Sequence, residues 1–276
     1  FTFVLMNFLQ QAFKFYINSS LHVALAVVSF TMVTFQNFNL TVNNDIMLFI
    51  FFSTIVAYNF VKYYPVLKLK RETITIELKK IVLLSLFSII PLVMVLVTMT
   101  LEVFLFIVCM GILTLLYALP FLPKTKSLRD VSGLKIFVIA LVWTGTTVVL
   151  PFLETGQGYN LLATDIMYYV LSRFFLIIAL TIPFEIRDTR LDSLYLKTLP
   201  QWLGVRSTKV IGVLLSLLSL VFLVLSGEDL FSLYNMLYLV VIGFVLFSNQ
   251  NNTHYYSAFW VESFPLLWFV SIFLFG

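Results

Sequence analysis

Three acidic residues in the second half of the chain are spaced so that they could act together. Glu185, Asp188 and Asp192, the acidic triplet, lie three and four positions apart, and on a helix that spacing places them on one face. Stacked carboxylates repel one another unless a divalent cation or basic groups neutralise them. Magnesium suits the pattern because it takes oxygen ligands and shares them with phosphates. The alternative is a solvated helix end balanced by Arg187 and Arg190.

The sequence around the triplet is too apolar for a soluble protein. Of its 276 residues, 61% are hydrophobic and 11% are charged, and the mean hydropathy is +1.03, whereas a soluble domain is about 25% charged. No soluble fold hides that much apolar surface, so lipid must be the solvent. The single cysteine, Cys109, excludes an intrachain disulfide and a cysteine metal cluster. The net charge is only +4, and we expect no nucleic-acid partner.

Nine stretches are long and apolar enough to cross a membrane as helices, which need about 20 such residues each. They fill nearly the whole chain, so we predict an all-α polytopic protein in which residues 1–276 form a single transmembrane domain. The predicted spans lie at about 20–37, 45–61, 81–99, 101–119, 134–153, 163–184, 208–226, 229–248 and 257–275.

Basic residues mark one side of the predicted bundle. With the amino terminus inside, every Lys and Arg except Arg173 falls in an inner segment, while the outer loops carry acids such as Asp45 and Glu102. Because Lys and Arg concentrate on the cytoplasmic side, we expect the acidic triplet on the cytoplasmic face. Residues 1–12 lack the basic n-region of a signal peptide, which favours a bacterial inner membrane.

Two charged residues lie inside predicted spans. Arg173 is midway along the sixth span, and Glu262 is in the ninth. Charges within a span are expensive and usually face a cavity or a partner. Arg173 is therefore expected either to pair with Glu262 or a carbonyl group, holding helices together, or to face a cavity.

A longer motif surrounds the acidic triplet. It consists of Ile186–Asp188, Asp192, Lys197–Pro200 and Leu203–Gly204. These residues resemble the second aspartate motif of the UbiA superfamily of membrane prenyltransferases, in the branch that makes menaquinone and related lipids. That motif has an acid or Asn, then Ile-Arg-Asp, a second Asp four residues later, and then roughly Lys-x-Thr-Leu-Pro and Leu-Gly.

A second resemblance lies after the fourth predicted span. The segment Tyr117–Lys124 is similar to the family's Tyr-Ser-x-Pro…Leu-Lys segment, and Gly133–Lys135 opens the next span as in the family. With the nine-helix count and the inner-side motifs, the resemblance covers most of the chain. It implies a UbiA-like helical bundle with a central cavity and the amino terminus inside.

The family's first aspartate motif is altered in this chain. Asn-Asp-x-x-Asp-x-x-x-Asp belongs at the end of the second span, where this chain keeps Asn59 but has Phe60, Tyr63 and Leu67 at the aspartate positions, with Lys62 among them. Family enzymes use both motifs, through magnesium, to hold and ionise an allylic diphosphate. Only the acidic triplet has that acid spacing here, so one carboxylate cluster is expected to hold one Mg2+.

The resemblance implies roles for individual residues. Asp188 and Asp192 are the expected catalytic residues, and with Glu185 they are the expected Mg2+ ligands. Basic side chains form charge-assisted hydrogen bonds with phosphate oxygens, although positive-inside topology also accounts for such residues. The residues expected to bind the diphosphate are Asn59, Lys62, Lys124, Arg129, Arg173, Arg187 and Lys197.

The implied reaction is electrophilic prenyl transfer from an isoprenyl diphosphate to a quinone precursor, another aromatic ring or a lipid alcohol. Mg2+ and basic groups neutralise the leaving diphosphate, and aromatic side chains stabilise the allylic cation. Two other hypotheses stay open: a catalytically silent relative that binds an isoprenoid lipid or a partner, and a transporter. A transporter of common type shows internal repeats, and this sequence has no clear one.

Overall fold

The computed structural model describes residues 2–69, 75–121, 127–131, 133–156, 158–190, 198–230, 232 and 235–275. Within these ranges every regular element is helical, so the all-α prediction is confirmed. The α-helices are Thr2–Asn18 (α1), Leu21–Asn37 (α2), Asn44–Leu69 (α3), Ile76–Leu96 (α4), Leu101–Ala118 (α5), Leu134–Thr144 (α6), Leu150–Glu154 (α7), Thr164–Asp188 (α8), Leu199–Leu225 (α9), Tyr238–Phe247 (α10) and Phe264–Phe275 (α11).

Two π-helical turns interrupt the regular helices. The first, Gly145–Val149, joins α6 to α7, so that one continuous helix runs over Leu134–Glu154. The second, Tyr256–Val261, lies just before α11. A π-turn accommodates an extra residue in a helix and is frequent at functional sites.

Seven helices of the described residues are long and apolar enough to cross a membrane. An eighth span results if α1 and α2, which meet at 56°, cross as one broken helix. The predicted span at 229–248 is instead a short helical segment, Asn235–Phe247, and at about 1.5 Å per residue it does not cover a hydrocarbon core of roughly 30 Å. The prediction of nine spans is therefore not confirmed.

The connection before α10 explains the short segment. Gly227 has φ 105°, in the left-handed region that glycine adopts without steric cost. Asn235 Nδ2 then donates to the Asp229 carbonyl oxygen at 2.7 Å. Because of this turn, the helical segment begins at Asn235, six residues after the predicted start at Asp229. Hydropathy alone does not detect such a turn.

The central helix α8 packs against α6, α9 and α10 and carries Arg173, which is 2% exposed. The guanidinium lies 4.1 Å from the centre of the Phe30 ring and 5.3 Å from that of Trp268, and it donates to Tyr169 Oη at 2.8 Å. Arg173 therefore joins α8 to α2 and α11 through cation–π contacts. The pairing with Glu262 that the sequence offered as one alternative does not form.

Small residues let α8, α9 and α10 approach closely. Ser219 Oγ donates to the Ser172 carbonyl oxygen at 2.7 Å and lies 2.8 Å from Tyr238 Oη. Elsewhere on α9, a Cβ added at Gly212 would lie 2.8 Å from Val245 Cγ1. Such small-residue contacts replace the hydrophobic effect as the source of helix association within lipid.

We expect Gly212→Ala to destabilise the bundle. The added methyl group would meet Val245 Cγ1 at 2.8 Å and two Ile182 carbons at 3.3 Å, and relieving such overpacking costs about 1–3 kcal/mol. Gly243 in α10 has no atom within 4 Å of an added Cβ, so Gly243→Ala should be neutral or stabilising by up to about 1 kcal/mol. Thermal unfolding in detergent checks this pair, and equal melting temperatures would contradict the close helix contact.

Candidate active site

Asn59, near the end of α3, ties several helices together. It is 4% exposed, and its amide donates to the Ser19 carbonyl oxygen at 3.0 Å and to Ser85 Oγ at 2.9 Å. Its side-chain oxygen accepts from Ser20 Oγ at 2.8 Å. These contacts fix the bend between α1 and α2, where Ser20 has φ 63°, against α3 and α4. Both amide hydrogens are thus engaged by protein groups.

Lys62 lies one turn further along α3, at the protein surface. Its Nζ donates to the Asn18 carbonyl oxygen at 3.3 Å and lies 5.3 Å from the centre of the Tyr63 ring. Tyr63 Oη donates to the same carbonyl at 2.8 Å, and the Asn18 amide donates to Glu77 Oε1 at 2.8 Å. The lysine among the altered aspartate positions is therefore anchored to the end of α1.

Glu185 and Lys135 form a buried ion pair between α8 and α6. Lys135 Nζ lies 2.8 Å from Glu185 Oε1, and the two side chains are 18% and 4% exposed. Both residues line a small pocket with Arg129, Thr198 and Leu199. Because α6 and α9 begin at this pocket, the positive ends of their dipoles add to the basic side chains and favour an anion.

Asp188, in the last turn of α8, is held by its neighbour Arg187. The guanidinium Nε and Nη2 donate to the two carboxylate oxygens at 2.6 and 3.0 Å. Nη1 donates to Ser257 Oγ and, at 3.4 Å, to the His254 carbonyl oxygen, so Arg187 links α8 to the second π-turn. The Asp188 side chain is 23% exposed, which leaves its carboxylate accessible.

Glu262 completes a group of charges at this end of the bundle. It follows the second π-turn, and its backbone N–H donates to the carbonyl oxygen of Ser257 at 3.2 Å, the residue whose hydroxyl accepts from Arg187. Partial burial lowers the pKa of the His254 imidazole, and the cations Arg187 and Lys62 lower it further. Lys62, Arg187, Asp188, His254 and Glu262 are called the mouth cluster below.

A large apolar cavity lies between α2, α3, α4, α5 and α6. Its volume is ≈ 540 Å³, within the range of about 300–1,000 Å³ found for small-molecule pockets. Tyr58, Tyr117 and Trp143 contribute aromatic walls, and Trp143 Nε1 donates to Tyr58 Oη at 2.9 Å. Phe60 and Val61 line the same cavity, so it extends to the turn of α3 that carries Lys62.

A magnesium ion at this end would use few protein ligands. Among the residues that the structure describes, no three His, Cys, Asp or Glu side chains converge on a metal position. Mg2+ at phosphate sites needs only one or two carboxylates, because water and phosphate oxygens complete its coordination. Asp188 fits this role as an accessible carboxylate that would exchange Arg187 contacts for the ion. Glu185 is less accessible, since it is buried against Lys135.

The structure gathers some of the predicted site residues and separates one. Arg173 lies twelve residues before Glu185 on α8, about 18 Å along the helix axis, and its aromatic surroundings join helices in the core. Three predicted residues lie outside the described part of the chain: Lys124, Asp192 and Lys197. The predicted residues at the mouth end of the bundle are Asn59, Lys62, Arg129, Glu185, Arg187 and Asp188.

Three further residues at this end have no assigned role in the predicted site. Lys135 was recognisable only as part of the Gly133–Lys135 segment, and the sequence gives no hint that it pairs with Glu185. Glu262 carries a sequence signal, as a lone acid in an apolar span, but that signal does not reveal which cations it faces. His254 carries no such signal.

The fold matches solved structures of a UbiA homolog from Archaeoglobus fulgidus. The structure bound to GPP and Mg2+ matches with a TM-score of 0.62 and 13% sequence identity, covering 95% of this chain and 98% of that chain. The structure bound to DMAPP and Mg2+ gives a TM-score of 0.61 at 13% identity with the same coverage. A third structure of a UbiA homolog from that organism gives 0.55 at 13% identity, covering 94% and 95%. No family model and no curated protein matches the sequence. The chain therefore has a UbiA-like fold.

We expect Lys135→Met to destabilise the protein more than Arg190→Met does. Lys135→Met removes the ammonium group that lies 2.8 Å from the buried Glu185 carboxylate, and loss of one member of a buried ion pair costs roughly 3–5 kcal/mol. Arg190 is exposed and donates to Asn251 Oδ1 at 2.8 Å, and such surface contacts contribute about 0–1 kcal/mol.

Unfolding in detergent measures both variants, and the double variant Lys135→Met/Glu185→Met should recover much of the loss. Equal losses in the two single variants would show that the Lys135–Glu185 pair is not a stabilising contact.

Proposed function

We propose that this chain is a UbiA-like membrane prenyltransferase that transfers an isoprenyl group from an allylic diphosphate to an aromatic or lipid acceptor. The observation that carries the proposal is the position of Lys62 at the edge of the apolar cavity: Phe60 and Val61, which precede it on α3, line an aromatic-walled space that suits a hydrocarbon chain, and the Lys62 ammonium can bind a diphosphate. The A. fulgidus homolog binds GPP and DMAPP with Mg2+, and both ligands combine these two parts.

In this proposal the basic side chains bind the phosphate oxygens. Lys62 belongs to α3 and Arg187 to α8, and in this proposal one diphosphate bridges the two side chains. Arg129 and Lys135 supply further positive charge at the neighbouring pocket. Lys124 and Lys197 would join them, as their motif positions imply. Charge-assisted hydrogen bonds of this kind are roughly twice as strong as neutral ones.

Asp188, together with Asp192, would hold Mg2+, with Glu185 as the third predicted ligand. When bound, the ion supplies positive charge against the leaving diphosphate. Lys62 lies between Phe60 and Tyr63, two of the altered aspartate positions of the first motif, and its ammonium can neutralise phosphate charge directly. The chain thus offers a fixed cation on α3 in place of a second set of carboxylates.

The cavity would bind the isoprenyl chain and exclude water from it. An allylic cation forms as the carbon–oxygen bond to diphosphate breaks, and water would capture it in an open site. The aromatic faces of Tyr58, Tyr117 and Trp143 can stabilise such a cation by cation–π attraction. The lining is otherwise almost wholly apolar, which suits a hydrocarbon chain.

We also propose that the mouth faces the cytoplasm, most simply of a bacterial inner membrane. All basic residues except Arg173 belong to segments predicted on that side, and Lys and Arg bias sets orientation. A membrane-embedded acceptor would enter from lipid, and the diphosphate from the aqueous side.

A catalytically silent, isoprenoid-binding relative is the second candidate. It is favoured by the Arg187–Asp188 contact, which engages both oxygens of the acid that should hold Mg2+. In a silent protein these contacts would persist when a diphosphate binds, and binding would not depend on Mg2+.

The first test of the enzyme is Mg2+-dependent diphosphate release from GPP, measured on purified protein with a panel of phenols, naphthols and lipid alcohols. We expect Asp188→Asn to lower release about 10²-fold or more, because it weakens electrostatic stabilisation of the leaving group. Asp165→Asn, at the opposite end of α8, should leave release unchanged. GPP binding without release by the unmodified chain would support the silent relative instead.

The second test concerns Lys62. We expect Lys62→Met to weaken GPP binding at least tenfold, since a hydrogen bond to a charged group contributes about 1.5–3 kcal/mol. Lys80→Met removes an exposed lysine of α4 and is the matched control for the loss of one positive charge. Titration of GPP in the presence of Mg2+ measures both variants, and equal affinities would exclude Lys62 from the diphosphate site.

A further inference from the structure

The apolar cavity runs parallel to α3 and α5. On α3 its lining extends from Val61, the residue before Lys62 of the mouth cluster, back to Phe49, which is about 18 Å along the helix axis. On α5 the lining extends from Tyr117 back to Phe106, which is about 17 Å. Because two separate helices give nearly the same length, the cavity is a long channel that leads from the level of Lys62 into the bundle.

Contacts with the first π-turn fix the depth of the far end. A Cβ added at Gly145 would lie 3.3 Å from Phe106 Cζ and 2.8 Å from Met110 Sδ. Gly145 follows Lys135 by ten residues in the same continuous helix, about 15 Å along its axis. The Phe106 end of the channel is therefore deep in the bundle, far from the pocket that Lys135 lines.

The hydroxyl groups along the channel do not make it polar. Ser53 and Thr54 of α3 donate to the Ile50 carbonyl oxygen at 3.3 and 2.6 Å. Thr114 of α5 donates to the Met110 carbonyl oxygen at 2.9 Å. These donors are satisfied by their own helices, so the channel suits a hydrocarbon chain over its whole length.

We infer that the channel takes a prenyl chain of about four isoprene units and that Gly111 sets this length, an inference that rests on the proposed function. An isoprene unit adds four chain carbons, about 5 Å in extended form with carbon–carbon bonds of about 1.5 Å, so the length of the channel fits three to four units.

The volume of the channel gives the same answer. Each of the five carbons of a unit occupies about 25 Å³, slightly less than the roughly 30 Å³ of a water molecule in the liquid. A cavity of ≈ 540 Å³ therefore holds about four units. GPP, which the A. fulgidus homolog binds, has two units and would fill only about half of this space.

Gly111 lies halfway along the channel. It precedes Tyr117 by six residues, about 9 Å along α5, which is the length of two extended units. Ile107 and Thr114, about one turn before and after it, also line the channel, and no described atom lies within 4 Å of a Cβ added at Gly111. A side chain here would occupy the passage to the far half, and its absence leaves room for the third and fourth units.

Photolabelling tests the reach of the chain directly. The probes are geranyl and geranylgeranyl diphosphates with a diazirine on the last isoprene unit, bound to the full chain in detergent with Mg2+ and located by mass spectrometry of peptides. We expect the four-unit probe to label the far end, at Phe49, Leu96 or Phe106, and the two-unit probe to label α5 near Gly111.

Two cavity variants test the length limit from opposite walls. Gly111→Phe narrows the channel from α5, and Ser53→Phe narrows it from α3, about 12 Å from Val61 along the helix. We expect each variant to weaken binding of geranylgeranyl diphosphate at least tenfold more than binding of GPP. Gly243 of α10 also has open space around an added Cβ but lies outside the channel lining, so Gly243→Phe should leave the ratio of the two affinities unchanged.

Several outcomes would overturn the inference. The four-unit probe might label only residues near Lys62 or the lipid-facing surface, which would place the chain outside the channel. Equal losses of the two affinities in both cavity variants, or no loss in either, would exclude a length limit at Gly111. Binding of both diphosphates without any diphosphate release would contradict the proposed enzyme, while the labelled positions would still report the chain length. Failure to bind either diphosphate would overturn both proposals.

Discussion

Lipid offers no hydrogen bonds to a polar group inside a helical bundle, and the arrangement of polar residues in this protein follows from that constraint. Hydroxyl groups within the spans bond back to their own helix, as Thr31 does to the Val27 carbonyl oxygen at 2.9 Å and Ser216 to that of Gly212 at 2.8 Å. Arg173 places its guanidinium against aromatic faces and donates to one phenol oxygen. Arg173 Nη1 departs from the pattern, because this buried atom has no hydrogen-bond partner among the residues that the structure describes.

The same constraint explains the balance of charge at the mouth. Glu185 is neutralised by Lys135, and Asp188 by Arg187, so two of the predicted metal ligands have a cation even without a metal. With Lys62 in a motif that elsewhere carries aspartates, this end of the bundle gains positive charge that does not depend on a bound ion. A diphosphate site built in this way would rely more on side chains and less on metal than the resemblance implies.

Hydropathy predicted the apolar central part of the membrane helices. The predicted spans 134–153, 163–184 and 257–275 correspond to helical segments Leu134–Glu154, Thr164–Asp188 and Tyr256–Phe275. Hydropathy did not predict the helix ends at positions where local hydrogen bonds determine them. The turn closed by Asn235 precedes α10. Helix α9 begins at Leu199, nine residues before the predicted start of its span at residue 208, and it includes non-helical backbone at Gly204, with φ 80°.

The sequence by itself determined that the chain is an all-α membrane protein and that its acids and bases gather around two motif segments, because hydropathy and residue spacing are properties of the chain. Only the tertiary structure decided which charges meet. The Asn59 amide bonds to groups of neighbouring helices, Arg173 packs against aromatic rings in the core, and Glu185 pairs with Lys135. Lys135 and Glu185 lie 50 positions apart, and the helix packing that brings them together leaves no local pattern in the sequence.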